Sequence, residues 1–111
     1  MFDYVKYAQQ IRNELHQVPE IGFDLPKTTA IVKRELDAMG ITYTEEFGKG
    51  SIVATINEGK PFTIGIRGDM DALPVQENSS NPYPSKHEGI MHACGHDVHT
   101  AQTLAAARML N

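Results

Sequence analysis

The sequence holds one cysteine, no tryptophan and no long apolar run. A single cysteine excludes an internal disulfide, so Cys94 is a small buried side chain, a metal ligand or a reactive thiol. Basic charge is also scarce: 10 Lys and Arg stand against 14 Asp and Glu, a formal charge of −4. Without a clustered basic face the chain lacks what a nucleic-acid surface uses to displace condensed counterions. No stretch reaches the roughly 20 apolar residues of a membrane span, and Asp3 and Lys6 interrupt the N-terminus where a signal peptide needs an apolar core. The expected compartment is therefore the cytoplasm, with neither nucleic acid nor membrane as partner.

What is present suits a folded protein. Hydrophobic residues make up 41% and charged residues 22%, outside the compositional range of disorder. A chain of 111 residues fits one domain, burying roughly 65% of its unfolded surface. Tyr4, Ala8, Ile11 and Leu15 recur at helical spacing and predict a helix from about Asp3 to His16, ending before Pro19. Pro26 suits a first helical position, Thr28, Val32, Leu36 and Met39 form a second stripe, and Gly40 sits where a left-handed cap is wanted. Three β-branched runs then read as strands: Ile41 to Thr44, Ser51 to Ile56 and Phe62 to Arg67. The short linker Asn57 to Pro61 favours an antiparallel hairpin between the last two, so the fold class is α/β, a mixed sheet flanked by helices. Asp69 to Ala93 is an irregular excursion rich in Pro, Asn, Ser and Gly, of the kind that serves a site. Val98 to Leu110 reads as an Ala-rich helix with Asp97 as its N-cap.

The densest chemistry is MHACGHDVHT, Met91 to Thr100, which holds the only cysteine and three of the five histidines. Cys94 and His96 are two apart, so on an extended segment both point to one side and can share an ion, with Gly95 allowing a tight bend. Thiolate and imidazole suit zinc, while added carboxylates also admit manganese or cobalt. A Cys–His nucleophile pair is the rival reading, but the surroundings of known catalytic cysteines are missing. His92 or His99 could be a third ligand or could be solvated, and Asp97 or His99 could support a ligand from behind. Upstream, RGDMDALP (Arg67 to Pro74) places Asp69 and Asp71 on one side of an extended run, where one can ligate and the other orient a histidine. Its Arg-Gly-Asp triplet is read as a chance match to an adhesion motif. Gly48-Lys-Gly50 lacks the rest of a phosphate loop, and His16, near a helix end, has the ordinary expectation of a capping or exposed role.

Three phrases together, RNELHQVPEIGF (Arg12 to Phe23), IRGDMDALPVQE (Ile66 to Glu77) and GIMHACGHDVHTA (Gly89 to Ala101), closely resemble the M20 family of metal-dependent peptidases and amidohydrolases. The resemblance is to its N-acyl-amino-acid amidohydrolase branch. It implies that residues 1–111 are the N-terminal segment of a zinc-peptidase-like catalytic domain, in a homodimeric protein about three times as long. It also implies a centre of two divalent ions, zinc or manganese with cobalt compatible, and an N-acyl amino acid as substrate. Cys94 and His96 would be ligands. Asp69 and Asp71 would be catalytic residues, one assisting the reaction and the other orienting a ligand. The remaining ligands and the glutamate base would lie beyond Asn111, since neither Glu77 nor Glu88 falls in a phrase the family uses as base. The isolated chain is then expected to be inactive. A reading from another class is a stand-alone metal-binding or interaction domain that uses Cys94, His96 and local donors.

Overall fold

The computed structural model describes residues 1–111. Three helices, α1 (Tyr4–His16), α2 (Pro26–Met39) and α3 (His96–Leu110), are accompanied by two short strands, β1 (Thr42–Thr44) and β2 (Val53–Thr55). Local signals set the helix ends. The Asp3 carboxylate accepts the Lys6 N–H at 3.0 Å and caps α1, Pro26 opens α2, and Gly40 closes it at φ +71°, a left-handed conformation that costs a glycine little.

The core lies where α1 and α2 meet α3. Tyr7, Ile11 and Leu15 pack with Val32, Leu36, Ile41, Ala101 and Leu104. The buried stripe of α1 is rotated slightly from the one the periodicity predicts, with Tyr7 rather than Tyr4 inside. Ala101 and Ala105 present small side chains to the interior. No helix is long and apolar enough to cross a membrane.

The α/β class holds, but the pairing differs from the expectation. β1 and β2 form the antiparallel pair, in the register Thr42↔Thr55, Tyr43↔Ala54 and Thr44↔Val53, and the hairpin expected between Ser51–Ile56 and Phe62–Arg67 does not form. Residues 62–67 contain no strand. The cause lies in how the linker is anchored. Asn57 takes a positive φ of 54° and its side-chain amide donates to the Leu110 carbonyl at 3.0 Å. The following chain is thereby led along α3, from its C-terminal end towards its first turn, instead of folding back beside β2. Phe62, Ile64 and Ile66 are consequently 87%, 87% and 57% exposed.

Two further departures bear on the site. α3 begins at His96 with Gly95 in the cap position, so Asp97 is not the N-cap; it lies in the first turn and is buried. The excursion from Asp69 to Ala93 is irregular as expected, and is closed at its base by a bridge between Leu73 and Met91, with N–H···O distances of 2.9 and 3.0 Å.

Candidate metal centre

The extended run Arg67–Asp71 lies against the first turns of α3, and Gly68 sets how closely. A Cβ at Gly68 would stand 2.4 Å from Thr103 Oγ1 and 2.9 Å from the His99 carbonyl, so any larger residue would push the run away from the helix. The Thr100 hydroxyl donates to the Asp69 carbonyl at 2.9 Å and fixes the register.

That approach assembles the site. Asp69 Oδ1 lies 2.7 Å from His99 Nδ1, and its Oδ2 is 3.5 Å from His96 Nε2. The hydrogen bond with His99 leads the causes that hold the Asp69 carboxyl below its ordinary value, with the charges of His96 and His99 adding to it. Asp71 grips the other nitrogen of His96: Nδ1 lies 2.9 Å from both the Asp71 carbonyl and its carboxylate Oδ1. Since both partners are acceptors, Nδ1 carries the proton, and in the neutral ring Nε2 keeps its lone pair. A carboxylate that orients a histidine in this way, freeing its other nitrogen, is a common support for a metal ligand. The rings of His96 and His99 stack with centroids 5.5 Å apart.

Ligand atoms of Asp69, His96 and His99 all fall within 4.8 Å of one another. Two imidazoles and a carboxylate fit zinc, manganese or cobalt. The structure therefore brings together Asp69, Asp71, His96 and His99. Cys94 is exposed and stands outside this group. His92 is buried with neither ring nitrogen hydrogen-bonded, and burial pushes its pKa down. It, too, is outside the group.

Asp97 turns away from these donors into the protein, and with it comes the element that the sequence did not reveal. His16 is 1% exposed, in contrast to the expected capping or exposed role. Its Nδ1 lies 2.8 Å from Asp97 Oδ2 and its Nε2 3.2 Å from Glu77 Oε1. Arg12, one turn earlier, reaches Asp97 through Nε at 3.1 Å. Hydrogen bonds from Ser79, then from the Ser85 backbone and His16, pull the Glu77 carboxyl down to about 2. A carboxylate so weakly basic is poorly matched to general-base work near neutrality. The available signal was the spacing of Arg12 and His16, four apart beside the apolar stripe of α1, which places both on one flank of the buried face.

Comparison with known proteins adds a family. Residues 65–111 match the model of "Peptidase family M20/M25/M40". The chain is 46% identical over 103 residues to a hippurate hydrolase of Campylobacter jejuni, covering 92% of this chain and 27% of that protein. It is 46% identical over 101 residues to an N-acetyl-L-cysteine deacetylase of Bacillus subtilis, covering 90% and 24%. Among solved structures it superposes on Bacillus subtilis YXEP, described as a dinuclear metal binding peptidase from the M20 family, with a TM-score of 0.89 at 36% identity, covering 96% of this chain and 30% of that one. The chain spans about a quarter of the length of these curated relatives.

Proposed function

Because the chain belongs to the M20/M25/M40 peptidase family, we propose that it supplies part of the metal centre of an amidohydrolase that cleaves the amide bond of N-acyl amino acids. The observation that carries this reading is the orientation of His96. Its Nδ1 is held by Asp71, so Nε2 faces Asp69, with His99 alongside. Divalent ions, when bound, lower the pKa of water and polarise an amide carbonyl.

The residues take separate roles. His96 is a ligand, Asp71 fixes its ring, and Asp69 and His99 offer a carboxylate and a second imidazole within reach of the same point. Cys94, two residues before His96, is assigned as a thiolate ligand on the strength of the motif it belongs to. The general base comes from the part of the relatives that this chain does not match, since Glu77 is held at about 2 by Ser79, Ser85 and His16. Hippurate is N-benzoylglycine, so both named relatives act on acylated amino acids. This supports the substrate class, with zinc or manganese as the ions and cobalt compatible.

Titration with zinc or cobalt, together with an assay on hippurate and N-acetyl-L-cysteine, tests the reading. The 111-residue chain is expected to bind metal, to lose that binding in His96→Ala and to release no amino acid. Hydrolysis by the chain alone at the rate of a full-length relative would overturn the division of the site. A second reading, metal binding without catalysis, draws on the three donors that already meet in this chain. One tightly held ion per stable monomer, lost in His99→Ala and kept in Cys94→Ala, would favour it.

A further inference from the structure

We propose that His16 is a positioning residue for the metal centre, acting on His96 through Asp97; the proposal rests on the reading of that centre given above. α3 starts without a side-chain cap, because Gly95 occupies the cap position and carries no donor or acceptor in its side chain. Its first turn is fixed from the inside instead. Asp97, directly after His96, receives His16 Nδ1 at 2.8 Å and Arg12 Nε at 3.1 Å on Oδ2, while its Oδ1 accepts the Val98 N–H at 2.9 Å. His16 Nε2 is in turn 3.2 Å from each oxygen of Glu77, which also accepts the Ser79 hydroxyl and the Ser85 N–H. One imidazole thus ties together the end of α1, the start of α3 and the turn from Glu77 to Ser85.

The stretch that follows His16 reaches the other arm of the centre. The Glu20 carbonyl accepts the Ala72 N–H at 2.7 Å, one residue beyond Asp71, and Asp71 orients His96. Both arms of the centre therefore hang on residues 12–20, which contribute no ligand themselves. A small rotation of the first turn of α3 would move His96 Nε2 relative to Asp69 while leaving every ligand in place, and supports of this kind govern metal affinity.

The two ring nitrogens can be separated experimentally. Asn at position 16 reproduces the donor at Nδ1, which faces Asp97, and Gln reproduces the donor at Nε2, which faces Glu77. Cobalt(II) titration of the full 111-residue chain, followed by visible absorption, is paired with urea unfolding of the same variants. His16→Gln is expected to weaken cobalt binding by about tenfold or more and to shift the visible bands, while His16→Asn stays within about threefold of the parent. Leu104→Ala, which loosens the core, leaves cobalt affinity unchanged. Asp97→Asn repeats the loss of His16→Gln, and the double variant adds little further.

Equal losses in His16→Asn and His16→Gln, or affinity that follows stability through Leu104→Ala, would make His16 a plain structural pin and end the proposal. Should a variant at position 16 fail to fold, Asp97→Asn decides: cobalt affinity unchanged there overturns the proposal, and a tenfold loss at retained stability upholds it. Cobalt binding that survives His96→Ala would instead remove the metal-centre reading, and the proposal with it.

Discussion

Two clusters of imidazole and carboxylate flank the first turn of α3, and they differ in burial and in saturation. On the inner side Asp97, His16 and Glu77 have almost fully covered side chains, and both nitrogens of His16 face carboxylate oxygens. On the outer side Asp69, His96 and His99 are partly exposed, and His96 Nε2 has only a 3.5 Å approach to Asp69. The inner cluster has no donor left for a ligand. Similar residue types thus form a brace where every polar atom is matched and a candidate metal site where one is left over.

Stability measurements should separate the two. The largest effect is expected from His16→Leu, which leaves the Glu77 and Asp97 carboxylates buried with a partner removed. Breaking a buried pair costs about 3–5 kcal/mol, and the low end applies because Arg12 stays on Asp97. Urea unfolding measures it, and a loss below about 1 kcal/mol would place the inner cluster among exposed ion pairs. Next comes Gly68→Ala at the outer site. The new Cβ meets the His99 carbonyl, a backbone atom that cannot swing aside, so about 1–3 kcal/mol of strain is expected. Displacement of Asp69 should also abolish the thermal shift that zinc produces.

Acid probes the inner cluster more gently. Glu77 is lowered from an ordinary 4.5 to about 2 in the folded chain. The folded state thus binds its proton less readily than the unfolded chain does. Its contribution is complete above about pH 4.5 and is lost as the pH falls towards 2. Ser79→Ala removes the leading cause of that depression, and the acid-unfolding midpoint should rise. An unmoved midpoint would show that Ser79 does not hold the carboxylate.

The contrast between the clusters was only partly legible in the sequence. The helices could be read because their signals are local: a stripe of apolar residues, Asp3 before Tyr4, Pro26 at an entry and Gly40 at an exit. The strand at Phe62–Arg67 could not be judged from its β-branched residues, since pairing depends on a distant partner and Asn57 sends the chain along α3. The four outer residues were legible as candidates through their density and type. Their partnership was not, because Asp71 and His96 meet across 25 positions. His16 was hidden for the same reason: its carboxylates lie 61 and 81 positions away. A histidine at a helix end carries no sign of what folds over it.

The smallest effects should come from the outer cluster, and they are informative because they are small. His96→Ala removes a partly exposed ring whose partners can turn to water, so stability without metal should change by no more than about 0.5 kcal/mol. The same variant should lose the stabilisation expected from added zinc in the parent chain, because that increment is set by how much more tightly the folded chain binds the ion than the unfolded one. Arg67→Gln is expected to do least of all. Its guanidinium is 83% exposed and 3.5 Å from Asp69, where solvent and salt screen the attraction, so neither stability nor zinc affinity should move measurably. An Arg67→Gln variant that bound zinc more tightly would show that this cation competes with metal for Asp69, and the outer cluster would then have a partner that its geometry alone ranks last.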